Sequence, residues 1–145
     1  MNKIRNAAAV ASALAALLAA APTATAAPAA EASDKPVVVG KTCSNRGGLF
    51  YCGFAYGSGE TIMKTSKGEA RFVIGLDHAV WINDDNGAWG SLGGGPFVRQ
   101  VKILNHRGDF NFTISSVDAN NVTWSRTLTP WDGWTAWYPG VPKGW

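Results

Sequence analysis

The chain has 145 residues, 46% of them hydrophobic, with 13 basic and 10 acidic side chains and a formal charge of +3. That length holds one domain. Its small charge excess lacks the dense basic footprint of a nucleic-acid binder, and no apolar run is long enough to span a bilayer.

Met1–Arg5 is a short basic start, followed by an alanine-rich apolar run from Ala7 to Ala21 and an A-x-A site at Ala24-Thr-Ala26. This order reads as a secretory signal peptide over 1–26. Residues 27–36 are rich in Ala and Pro and read as a disordered leader. Lys3 and Arg5 leave with the signal, so the 13 basic residues become 11 against 10 acidic ones. The mature protein is expected to be secreted, with residues 37–145 as a single β domain.

Cys43 and Cys52 are the only cysteines, and Asn45-Arg-Gly-Gly48 between them reads as a turn. An even count in an exported chain predicts a disulfide across an N-terminal hairpin. Past Lys35 there is almost no helix signal. Gly, present 17 times, punctuates short runs rich in Val, Ile, Phe, Tyr, Trp and Thr. The runs predict strands at 36–39, 49–55, 61–65, 70–75, 79–83, 98–105, 110–115 and 122–127. Asp84-Asp-Asn-Gly87, His106-Arg-Gly-Asp109 and Asp118-Ala-Asn-Asn121 carry turn residues.

A phrase beginning Trp89-Gly-Ser-Leu-Gly-Gly returns, loosely, as Trp134-Thr-Ala-Trp-Tyr-Pro-Gly140, 45 residues further on. The hairpins before the two phrases also align: Gly68-Glu-Ala-Arg-Phe-Val-Ile-Gly-Leu-Asp-His-Ala-Val-Trp81 matches Gly108-Asp-Phe-Asn-Phe-Thr-Ile-Ser-Ser116, then Asp118, Val122 and Trp124. Gly48–Glu60 is a weaker third echo. A strand–hairpin–Trp unit at this period is the pattern of a β-propeller blade. The expected fold is therefore all-β, with antiparallel strands in about two blade-like repeats plus the disulfide hairpin. At about 45 residues per blade the chain is too short to close a ring alone, so open sheet edges predict a homo-oligomer.

Residues 68–81 with Trp89-Gly-Ser-Leu-Gly-Gly94 resemble the repeat of the bacterial PLL-type, fucose-binding lectin-like β-propellers, over about residues 67–140. The resemblance implies four-stranded blades and binding of fucose or other sugars. The N-terminal third departs from the pattern, and no sugar-site residue of that family can be matched here.

Candidate ligand groups follow from chemistry: sugar rings meet aromatic platforms flanked by hydrogen-bonding groups. Trp124, Arg126, Trp131, Asp132, Trp137 and Tyr138 crowd the C-terminal end and are the expected binding residues, with Trp89 and Trp134 as structural repeat positions. His78 and His106 sit in turns, no nucleophile elbow or metal spacing is present, and Glu60, Glu69, Asp77 and Asp118 form no motif-placed acid–base pair. Asp84-Asp85-Asn86 reads as a solvated turn, as does the Arg-Gly-Asp at 107–109, and sequons at Asn111 and Asn121 matter only with eukaryotic machinery. No catalysis, metal or cofactor is expected. The leading reading is a secreted carbohydrate-binding protein for a glycan or cell-surface polysaccharide. The alternative is a secreted protein-interaction module such as a protease inhibitor.

Overall fold

The computed structural model describes residues 40–85 and 87–143. The signal peptide, the leader, the strand expected at 36–39, Asn86 and Trp145 lie outside the described residues. The rest is all-β and antiparallel, with a single 3-10 turn at Phe54–Tyr56. Strands β1 (Lys41–Asn45) and β2 (Gly48–Cys52) form the N-terminal hairpin. A four-stranded meander follows: β3 (Thr61–Thr65), β4 (Gly68–Ile74), β5 (Val80–Asn83) and β6 (Trp89–Gly93). The second sheet orders β7 (Lys102–Leu104), β8 (Phe112–Val117) and β9 (Thr123–Thr129), with β10 (Gly133–Trp134) and β11 (Tyr138–Pro139) both paired to β9. Among the described residues there is no closed barrel and no propeller ring.

Both Trp phrases become edge strands, which their glycines hid from a propensity reading. Trp89–Gly93 pairs with β5, and Trp134 and Tyr138 pair with β9. The two phrases also meet in space. Leu92 O accepts the Trp137 indole N–H at 3.0 Å and a guanidinium N–H of Arg126. A Cβ on Gly94 would lie 2.7 Å from Phe97 and Trp137, and its φ of +79° suits glycine, so the Leu-Gly-Gly step is where the second phrase seats itself.

The aligned hairpins share one device. Asp77 Oδ1 accepts from Ala79 N and from the Trp81 indole at 3.0 Å. Asp118 Oδ1 accepts from Asn120 N and Val122 N, and its Oδ2 accepts from the Trp124 indole at 3.0 Å. Each carboxylate caps its turn and fixes the tryptophan of the next strand.

The sheets stack in one sense. Val73, Trp81 and Trp89 face the disulfide hairpin, packing on Phe50, Cys43 and Cys52. Their counterparts Ile114, Trp124 and Trp134 face the first sheet, packing with Phe72, Ile74, Val80 and Leu92. Where the first sheet presents Phe72 and Ile74 to this core, the second carries Thr113 and Ser115 on its outer side. There the Thr113 and Thr127 hydroxyls bond each other at 2.9 Å, Thr127 meets the Tyr138 hydroxyl at 2.8 Å, and Ser125 donates to Gly140 O at 2.6 Å. Thr113, Ser115 and Ser125 are buried, so these bonds satisfy hydroxyls that water does not reach.

Cys43 and Cys52 form the disulfide, with Cα atoms 5.9 Å apart. It staples the hairpin against Trp81 and Trp89. A Cβ on Gly48 would fall 2.5 Å from the Trp89 ring, so the hairpin's approach requires glycine there. Replacing both cysteines by serine should cost roughly 2–3 kcal/mol, by the chain-entropy argument for a short closed loop. Chemical denaturation of the oxidised protein and the double variant checks this, and an unchanged midpoint would contradict it.

Candidate functional site

The turns β3–β4 (66–67), β5–β6 (84–88) and β9–β10 (130–132) and the loop 105–111 all lie at one end of the sheets. Between the sheets at this end is a cleft of about 530 Å³. Met63, Ala70 and Phe112 form its buried floor, and Ile82, Leu128 and Trp134 line its walls. Phe110 is 59% exposed at the lip. Thr65, Lys67, Glu69, Asp84, Asp85 and Asp109 supply polar groups.

The rim is held by its own hydrogen bonds. Asp109 receives the Ser66 N–H at 3.0 and 3.1 Å and the Ser66 hydroxyl, which clasps the loop 105–111 to the β3–β4 turn. Those bonds, with His106 and Lys67 nearby, hold the Asp109 carboxyl below the usual carboxylate range. Asp85 Oδ2 accepts from Glu69 N at 2.8 Å. Glu69 itself is kept low by Lys64 and then by Arg71, which bonds it at 2.6 Å. Below Trp134, Phe112 meets the indole edge-on at 5.4 Å, while the Arg126 guanidinium lies 5.6 Å from the Trp134 ring centre. Burial lowers the Arg126 pKa from its ordinary value, although the guanidinium stays charged at any working pH.

The C-terminal aromatics expected to bind ligand are dispersed. Trp124 is half-buried with its indole committed to Asp118. Arg126 bonds Thr135 O at 2.7 Å as well as Leu92 O. Trp137 packs on Phe97 with ring centres 4.9 Å apart, and the Tyr138 hydroxyl belongs to the outer polar face. Trp131 is 91% exposed and Asp132 is exposed beside it, with Asp132 accepting from Thr129 Oγ1 at 3.3 Å. These two occupy the turn between Leu128 and Trp134, both cleft-lining. Of the two repeat tryptophans, Trp89 lies under the hairpin and Trp134 forms the cleft wall.

Sequence reasoning did not single out Phe110 or Lys67, and it read the acidic turns at 84–86 and 107–109 as solvated. Alternation placed Phe110 inside a strand, whereas β8 begins at Phe112 and leaves Phe110 on the approach loop. The other carboxylates singled out from the sequence have structural partners: Glu60 bonds Arg71 at 3.1 Å and Asn45 at 2.7 Å. His78 stacks on Tyr51 at 4.7 Å with Nδ1 3.1 Å from Phe97 O. Burial pushes the Tyr56 hydroxyl up to about 12, in keeping with a neutral core residue. Among the described residues no three His, Cys, Asp or Glu are grouped to hold a metal ion, and no helix is long and apolar enough to cross a membrane. Comparison with protein-family models, with characterised proteins and with solved structures finds no match.

Proposed function

We propose that this is a secreted carbohydrate-binding protein, whose ligand is a glycan or cell-surface polysaccharide seated in the cleft between the sheets. The observation that carries this reading is the cleft's make-up: an indole wall and an exposed phenyl lip, Trp134 and Phe110, beside four acidic side chains and one lysine. Apolar ring faces can lie against the aromatics while hydroxyls bond the rim. The two sheets stacked in one sense, each with its Asp–Trp device, support the lectin-like blade reading of the repeats, and the disulfide is compatible with an extracellular site of action. Asp85 and Asp109 accept from backbone N–H groups and Glu69 is paired with Arg71, which favours binding over acid–base chemistry. The alternative, protein interaction, gains support from a single exposed aromatic at the far end of the sheets, Phe54.

A glycan array on the oxidised, mature chain tests the proposal. Phe110→Ala should weaken binding about tenfold, the equivalent of 1.4 kcal/mol, with an unchanged melting temperature because the side chain is mostly exposed. Trp131→Ala in the same assay asks whether the neighbouring turn contributes. Absence of binding across a broad array would end the carbohydrate reading.

A further inference from the structure

The end of the sheets opposite the cleft carries an aromatic that the core does not use. Phe54 is 97% exposed. It sits in the tight turn Gly53–Gly57, closed by Gly53 N to Gly57 O at 2.7 Å, Tyr56 N to Gly53 O at 2.9 Å and Gly57 N to Phe54 O at 3.1 Å. The turn is rooted by fully buried Tyr56 and follows directly on the disulfide at Cys52. Phe54 has φ of +37°, a region that bulky residues avoid. A residue held there with almost its whole surface in water is not explained by folding, and such outliers point towards function.

Beside it lies a hollow of about 470 Å³, whose walls include Phe54 itself along with Val98, Arg99, Asp118, Ala119 and Asn121. Val122, next to Asn121 in the chain, is 39% exposed. The space is ample for a phenyl ring, since a cavity of about 150 Å³ holds benzene. Arg99 is exposed, with a guanidinium N–H bonded to the Asn121 side chain at 3.2 Å and its carbonyl accepting from the Ser116 hydroxyl at 2.6 Å, so its guanidinium can lie over an incoming ring.

Knob and hollow therefore share one patch, the self-complementary arrangement a two-fold interface needs. We propose that two copies of this chain dimerise at this end, each inserting Phe54 into the hollow of the other. The occupant is a second copy rather than an unrelated protein because the patch carries both halves of the contact. Such a dimer would point its two clefts away from each other and leave both open, so ligand repeats on a surface could be bound bivalently.

Light scattering and sedimentation of the oxidised mature chain from about 1 to 100 µM test the proposal, a range that captures a dimer of micromolar affinity. The wild type should populate a dimer. Phe54→Gly should be monomeric, with a melting temperature equal to or above wild type, because glycine accepts the backbone conformation and almost no contact is lost. Ala119→Arg, which fills the hollow and keeps Phe54, should also be monomeric, with its folding checked by circular dichroism. A wild type that stays monomeric throughout, a dimer that survives Phe54→Gly, or a trimer or larger ring would each overturn the proposal.

Discussion

Phe112→Ala should be among the most destabilising single substitutions in this protein, costing about 3–5 kcal/mol and lowering the Tm by about 12 °C or more. Phe112 is 2% exposed and stands where the two sheets meet. It contacts Phe72 edge-on at 5.9 Å and Trp134 at 5.4 Å, and His106 covers it at 6.3 Å. Truncation leaves a cavity that three rings cannot close, because each is held from another side. Phe112 is also part of the cleft floor, so ligand binding should fall with stability. Thermal unfolding followed by near-ultraviolet circular dichroism checks the first point. A loss under about 1 kcal/mol would mean that the sheets are not packed through this ring.

The second large effect comes from the shared Asp–Trp device, and its two copies should differ. Asp118 is 8% exposed and accepts from Asn120 N, Val122 N and the Trp124 indole. Removing the carboxylate strands three donors in a half-buried turn, and Asp118→Ala should cost about 3 kcal/mol. Asp77 makes the same kind of bonds to Ala79 N and Trp81 but is exposed, so water can replace it, and Asp77→Ala should cost only about 1 kcal/mol. Denaturant midpoints of the two variants decide the matter. Equal costs would show that burial does not set the value of this device.

Much of this architecture was legible in the chain. Runs of β-branched and aromatic residues between Gly, Asp and Asn turns mark β3, β4, β5, β8 and β9 within a few residues, because side-chain alternation and turn chemistry are local properties. The disulfide follows from two cysteines flanking a glycine turn. The Asp-to-Trp spacing that aligned the two hairpins corresponds to a physical bond in both copies. The strands at Trp89, Trp134 and Tyr138 were less legible, since a neighbour's free edge makes them strands in spite of their glycine and proline. The surroundings of each aromatic were the least legible. A tryptophan reads the same whether its indole is spent on Leu92 O, as in Trp137, or stands in water, as in Trp131.

What the sequence by itself determined was the set of hairpins, the cysteine pairing and the repeated device. What only the tertiary structure decided was the direction in which each face looks. From Gly68 to Asp77 and from Gly108 to Asp118 the two copies differ by one residue, Val117 being the addition. In a strand one residue exchanges the faces. Phe72 and Ile74 therefore look towards the second sheet, and Phe112 and Ile114 look back at them, while Thr113 and Ser115 take the opposite face of their strand and are buried there. The same offset places Trp134 on the cleft wall and its counterpart Trp89 beneath the disulfide hairpin. Pairing partners and facing sheets, which are contacts between residues far apart in the chain, set these directions, and no local pattern encodes them.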